Sequence, residues 1–354
     1  MEKLFMKGNE ALAEGAIRAG CQLYFGYPIT PSTEIIEYMA AHLSKRGGTF
    51  VQSESEVAAI YMVFGAAGSG QRVMTASSGL GISLMQEGLS YMAANELPAV
   101  LVDIMRTGPG LGGLGPTQGD YFQATKGGGH GDYHLIVLAP DSVQEMADLT
   151  ATAFDLADGY RNPVMILADA VLGQMMEPVS FENIHVHTYE KPWATTGAKG
   201  RQRNLITSYN LQNETGEIKA IHLEHKYQAI QEQLQWAESY QTEDAEYLLV
   251  AYGTSARVCK GVVHALRATG VKVGLLRPIA LWPFPTQVFQ SYLDHVKGYL
   301  VVEMSAGQMI EDVRLAIQHQ APVSFYHRQG GMVPQQEEIV AQFNRVFLEG
   351  GHTS

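Results

Sequence analysis

The chain has 354 residues, 46% of them hydrophobic, which is core material for two or three domains at roughly 150 residues each. Charged residues make up only 17%, against about a quarter in ordinary soluble chains, so partner subunits are expected to cover part of the surface. The formal net charge of -12 argues against nucleic acid, and the two cysteines, Cys21 and Cys259, cannot form a CxxC pair, a four-cysteine cluster or a disulfide framework. The stretch from Met1 to Asn9 lacks an apolar signal core, and no apolar run of about 18 residues occurs. A cytoplasmic protein that does not cross a membrane is expected.

Strand and helix signals alternate through the first 170 or so residues. Gln22 to Phe25 reads as a short strand, and Thr30-Pro31-Ser32-Thr33 opens a helix. Thr30 suits the cap, Pro31 the first helical position, and Glu34 the positive end of the helix. That helix stops at Lys45-Arg46-Gly47-Gly48. Phe50-Val51 is a second strand, Ser53 to Gly65 a helix, Val73 to Thr75 a strand, Gly81 to Asn95 a helix and Ala99 to Met105 an apolar strand. Leu135 to Leu138 is a strand, Pro140-Asp141-Ser142 opens a helix that ends near Gly159, and Pro163 to Leu167 is a strand. Near-continuous apolar strands between helices predict a parallel sheet covered on both faces. Residues 180–240 break the pattern and read as an interdomain excursion with a helix near its end. A second alternating block follows, with strands over Tyr247 to Ala251, Val273 to Leu276, Tyr299 to Val302 and Val323 to Tyr326. Its helices start near Thr254-Ser255 and Gly307-Gln308.

The 37 glycines cluster at Gly108, Gly110, Gly112, Gly113 and Gly115, then at Gly127, Gly128, Gly129 and Gly131. Such runs suit loops that bring backbone close to another group. Neither matches GxGxxG between a strand and a helix, and no GK[ST] follows, which excludes a nicotinamide or ATP loop of the usual kind. There is no GxSxG elbow and no HExxH, and His185 with His187 has no third ligand nearby. Three positions carry two readings each. Thr30 is either a helix cap or part of an anion site at a strand end. Glu56 is either one side of a capping box with Ser53 or a buried ligand at the mouth of an alanine-rich helix. Arg106, directly after an apolar strand, is either a surface residue or a two-pronged clamp for a carboxylate.

Four stretches decide between these readings by resemblance. Tyr27-Pro28-Ile29-Thr30-Pro31-Ser32-Thr33, Gln52-Ser53-Glu54-Ser55-Glu56-Val57-Ala58-Ala59, Thr75-Ala76-Ser77-Ser78-Gly79 and Leu276 to Pro285 (LRPIALWPFP) together resemble the alpha subunit of 2-oxoacid:ferredoxin oxidoreductases. The resemblance runs from about Gly8 to Pro334 and is strongest to the branch acting on 3-methyl-2-oxobutanoate (2-ketoisovalerate). It implies an α/β chain with a pyrimidine-type thiamine-diphosphate-binding domain over residues 1–180, the excursion over 181–240, and a transketolase C-terminal-like domain over 241–345. It also implies thiamine diphosphate at an interface with a beta subunit that holds the diphosphate and Mg2+ through a GDG motif. This chain has no GDG: Asp120 and Asp132 each follow glycine but precede tyrosine. Iron–sulfur clusters would lie on gamma or delta ferredoxin-type subunits, with ferredoxin, coenzyme A and a 2-oxoacid as reactants and no metal on this chain.

The family's glutamate contacts the aminopyrimidine ring. Glu56 matches it by its spacing to Gly65, with Glu54 as the other candidate. Thr30 matches a threonine near the substrate carbonyl and Arg106 an arginine for the substrate carboxylate. Pro28, Ile29, Ser78 and Gly79 fall in the cofactor-binding stretches. The alternatives are the 2-oxoglutarate branch, whose substrate needs an extra cation for its distal carboxylate, and a non-catalytic scaffold subunit.

Overall fold

Aliphatic runs bounded by glycine and proline become the strands of three sheets across Lys3–Glu349, the residues described by the computed structural model. Met1 and Glu2, part of the stretch read as lacking a signal core, lie outside the described residues. The first half runs β1 (Leu4–Lys7), α1 (Gly8–Arg18), β2 (Leu23–Gly26), α2 (Thr33–His42), β3 (Thr49–Gln52), α3 (Glu56–Gly68), β4 (Val73–Ser77), α4 (Leu80–Ala94) and β5 (Val100–Met105). It continues through α5 (Tyr121–Lys126), β6 (Ile136–Leu138), α6 (Val143–Tyr160), β7 (Val164–Asp169), α7 (Ala170–Gln174) and β8 (Met176–Val179). After an irregular connection come α8 (Asn213–Gln233), β9 (Ala237–Tyr240), β10 (Tyr247–Val250), α9 (Gly253–Ala268), β11 (Val273–Pro278) and β12 (Ala280–Trp282). Then follow α10 (Thr286–Gln290), β13 (Gly298–Glu303), α11 (Met309–Ile317), β14 (Val323–His327) and α12 (Gln336–Phe343).

The large sheet has the order β12-β6-β7-β5-β4-β2-β3 and is parallel except at β12. Its central strands β4, β5 and β7 are buried at every position, which is why their sequences carry no polar alternation. The second sheet, β14-β13-β10-β11-β9, is parallel except at its β9 edge, and β1 pairs antiparallel with β8. The order in which strands are added reverses between β2 and β4: β3 lies outward of β2, and β4 returns to the other side. The carboxyl edge at such a switch point is where open α/β sheets bind ligands. The loops after β2, β3, β4 and β5 carry Thr30, Glu56, Ser78 and Arg106 to this one edge.

β12 crosses from the second half to pair with β6, Ala280 opposite Leu138. The LRPIALWPFP stretch therefore joins the two halves. Arg277, at the end of β11, is 2% exposed and supports the crossing. Its Nη1 and Nη2 both donate to Glu145 at 2.8 Å and its Nε to Glu238 at 2.6 Å. The two carboxylates are 27% and 28% exposed and Glu238 also pairs with Lys260, so Arg277→Met is expected to destabilise the chain by about 1.5–3 kcal/mol, the worth of charged hydrogen bonds. Chemical denaturation checks this; an unchanged midpoint would show the network to be energetically neutral.

Candidate active site

The first local correction concerns Thr30. Helix α2 begins at Thr33 with Ser32 as its N-cap, and neither Thr30 nor Ser32 supplies a side-chain cap. The Ser32 hydroxyl donates instead to the Ile29 carbonyl at 2.9 Å, which folds the Pro28-Ile29-Thr30 turn back on itself. Thr30 and Pro28 are exposed and Ile29 half-buried at the strand end. The Thr30 carbonyl accepts from Arg106 Nη1 at 3.1 Å, so two of the expected site residues meet directly.

The second correction concerns Glu56. No Ser53–Glu56 box forms: Ser55 is the N-cap of α3, accepting from the Ala58 amide at 3.2 Å, and Ser53 donates to the Ser55 carbonyl. Glu56 is thus the first helical residue, and its carboxylate is not used by the cap. It is only 5% exposed, whereas Glu54 stands in solvent. The carboxylate turns toward the first turn of α4, where Gly81 makes room for it. A Cβ on Gly81 would lie 2.7 Å from Glu56 Oε1 and 2.0 Å from Ser77 Oγ. The hydroxyls of Thr75, Ser77 and Ser78 are buried, with no hydrogen-bond partner among the described residues. A buried carboxylate beside orphaned hydroxyls is a donor and acceptor set awaiting a polar, flat group.

Arg106 opens a cleft of about 700 Å³ between the two halves. Its Nη2 donates to the Leu111 carbonyl at 3.1 Å, while its Nε is buried without a partner among the described residues. The glycine-rich loop closes on itself, with Thr107 N donating to Gly115 O at 3.0 Å and Gly113 N to Thr107 O at 2.8 Å. Gly112, at φ +60°, is required there because a Cβ would sit 1.7 Å from Thr107 O. The opposite wall is Met304, Ser305 and Gln308. Gln118 ties the walls together: its Oε1 accepts from Met304 N at 2.8 Å and Ser255 Oγ at 3.0 Å, and its Nε2 donates to Tyr252 O at 2.9 Å. Glu303, fully buried, accepts from the amides of Gln308, Met309 and Ile310 and so fixes the start of α11. Gly79 and Arg106 line the cleft; Glu56, Thr30, Pro28, Ile29 and Ser78 stand outside its lining.

Known proteins match this chain along nearly its whole length. Residues 14–245 match the model of the pyruvate flavodoxin/ferredoxin oxidoreductase, thiamine diphosphate-binding family, and residues 245–339 that of the pyruvate:ferredoxin oxidoreductase core domain II. The chain belongs to the 2-oxoacid:ferredoxin oxidoreductase family. It is 51% identical to the ketoisovalerate oxidoreductase subunit VorB of Methanothermobacter marburgensis, covering 99% of both chains. It is 38% identical to the 2-oxoglutarate synthase subunit KorA of Methanocaldococcus jannaschii, covering 96% and 98%. A solved 2-oxoglutarate:ferredoxin oxidoreductase from Magnetococcus marinus superposes with a TM-score of 0.89 at 28% identity. That match covers 97% of this chain and spans 65% of the solved one. A split-gene transketolase shares the fold alone, at TM-score 0.56 and 10% identity. The expected thiamine-diphosphate-binding α/β fold is therefore the fold present.

The chain's donors fit the pyrimidine half of that cofactor: Glu56 for a ring nitrogen and the free hydroxyls of Ser77 and Ser78 beside it. No group of three His, Cys, Asp or Glu side chains gathers among the described residues. No helix among the described residues is long and apolar enough to cross a membrane. The sequence reading misses the wall supplied by the second half, Met304 to Gln308, and Gln118, which braces it. Nothing local marks these residues; only the tertiary contact does.

Proposed function

We propose that this chain is the pyrimidine-binding subunit of an enzyme that oxidatively decarboxylates 3-methyl-2-oxobutanoate with coenzyme A. The products are isobutanoyl-CoA and CO2, and the electrons pass to ferredoxin. The observation that carries the reading is 51% identity over nearly the full length to a subunit named for ketoisovalerate, against 38% or so for the 2-oxoglutarate subunits. The cleft agrees. Among its described lining residues Arg106 is the one cation, and Leu80, Leu111 and Met304 are apolar. One guanidinium with aliphatic neighbours suits a monocarboxylate with a branched side chain. A dicarboxylate would call for a second cation.

Thiamine diphosphate, when bound, supplies the carbon nucleophile and the electron sink. Glu56 holds the aminopyrimidine ring nitrogen and its proton, and Ser77 and Ser78 orient that ring through their free hydroxyls. Arg106 grips the substrate carboxylate, and its bond to the Thr30 carbonyl sets the distance between the Tyr27–Ser32 turn and the cleft. Pro28, Ile29 and Gly79 shape the backbone around these groups. The diphosphate and Mg2+ belong to a beta subunit. Exposed Val57, Tyr61 and Met62 on α3 and Leu84 and Tyr91 on α4 form an apolar strip beside Glu56 that supports a partner there. Iron–sulfur clusters, gamma or delta subunits and a cytoplasmic location complete the assembly. Residues 1–180, 181–240 and 241–345 form its pyrimidine-binding part, connection and C-terminal part.

The test is CoA-dependent viologen reduction by the purified complex with 3-methyl-2-oxobutanoate, 2-oxoglutarate and pyruvate side by side. The branched acid is expected to give the highest kcat/KM. Preference for 2-oxoglutarate would move the substrate and leave the site residues in place. No activity in a complex that contains thiamine diphosphate and clusters would overturn the reaction.

A further inference from the structure

Two aspartates, one lining the cleft and one buried beneath it, take no part in these steps. Asp103, on the central strand β5, is fully buried, and its Oδ1 accepts from the Gly79 amide at 3.3 Å. Asp120, just before α5, lines the cleft and reaches the same glycine: a Cβ on Gly79 would lie 3.9 Å from Asp120 Oδ2. Asp103 Oδ2 and Asp120 Oδ2 are both buried, and neither has a partner among the described residues. Two ionised carboxylates left so would each hold an Oδ2 without a donor and repel each other. A single proton between them satisfies both oxygens at once.

We infer that Asp103 and Asp120 share one proton across the cleft floor and act as a positioning pair, limiting the negative charge under Arg106 so that its guanidinium remains available to an anionic substrate group. The inference rests on the 2-oxoacid reading of the cleft. Asp103 also accepts from the amide of Gly79, the N-cap of α4 at φ +48°, so the charge state of the pair bears on the turn that carries Ser78.

Burial, then the charge of Asp120, holds the Asp103 carboxyl well above the usual carboxylate range, and burial pushes Asp120 up to about 6. Among the described residues, no cation forms an ion pair with either aspartate. Asp169 of β7 is taken by Thr254, and Glu303 of β13 by the amides of α11. Tyr121 and Lys126 of α5 both bind Asp312. The Tyr252 phenol, ahead of α9, is held protonated by burial and by these same carboxylates. At neutral pH the floor thus carries one negative charge, on Asp120. As the pH falls through about 6 that charge is lost and an anion binds more tightly.

Two measurements on the assembled enzyme test the pair. The first is the infrared difference between the parent and Asp103→Asn at neutral pH. The asparagine amide can donate to Asp120 Oδ2 as the acid hydroxyl does, so the fold is kept. The expected difference is loss of the carbonyl band of a protonated carboxylic acid; loss of ionised carboxylate bands instead would overturn the shared proton. The second is the pH profile of KM for 3-methyl-2-oxobutanoate. In the parent KM is expected to drop by about tenfold as the pH falls through about 6, whereas Asp120→Asn gives a low, flat KM. A parent KM that does not change through this range would overturn the role toward Arg106, even with the shared proton present. The infrared readout involves no substrate, so failure of the substrate reading leaves it intact and the two failures are told apart.

Discussion

Glu56→Gln is expected to lower 2-oxoacid-dependent viologen reduction by about 10³-fold, within the range for loss of a general acid–base group. Glu54→Gln is expected to stay within about twofold, the ordinary range for a surface change. The contrast follows from position alone. Both residues sit in the same Gln52-Ser53-Glu54-Ser55-Glu56 stretch, but only Glu56 enters the interior, beside Gly81 and Ser77. Glutamine keeps the volume and an acceptor oxygen and removes the charge, so packing against α4 is preserved. The cap of α3 is untouched, because Ser55 provides it. Gel filtration of the complex separates loss of chemistry from loss of assembly. A complex of normal size with near-normal activity in Glu56→Gln, or a large loss in Glu54→Gln, would move the ring contact away from Glu56. A normal complex with no turnover would also remove the scaffold alternative, since a scaffold has no use for this charge.

Much of this arrangement is legible in the sequence because it is local. The strands β4, β5 and β7 are apolar at nearly every position, so the residue pattern alone implies burial on both faces. The loops that follow them then fall on one edge by topology. The helix caps are less legible, because two residues compete for each helix end. Thr30 precedes a proline and faces Arg106 through its carbonyl, while Ser55, one place before Glu56, caps α3 in place of Ser53. β1, β8, β9 and β12 escape a local reading because they are short or sit at edges, where packing partners far along the chain decide their conformation. The pairing of Ala280 with Leu138 and the reach of Gln118 to Met304 depend on such distant partners. Asp120 stands out locally only for the motif it fails to complete. Its significance depends on Asp103, seventeen positions earlier and on another element.

Arg106→Met is expected to cut kcat/KM for 3-methyl-2-oxobutanoate by about 10²–10³-fold, most of it through a raised KM. Loss of a charged hydrogen-bonded partner costs about 2–5 kcal/mol in a desolvated site, and screening at the cleft mouth keeps this case to the middle of that range. The guanidinium has a second task, since it donates to the Thr30 and Leu111 carbonyls at 3.1 Å each. Methionine keeps much of the side-chain length but leaves both carbonyls without that donor, so some loss of kcat from a loosened turn is expected as well. The two contributions separate by kinetics. Loss of carboxylate binding raises KM for every 2-oxoacid by a similar factor, because all of them share that group. Loss of turn geometry lowers kcat and leaves KM unchanged. Arg106→Lys restores a charge without the two-pronged fork and is expected to recover only part of the binding. If Arg106→Met lowers kcat alone, the arginine holds the Tyr27–Ser32 turn and the carboxylate is gripped elsewhere, which would shift the substrate site toward the partner subunit's side of the interface.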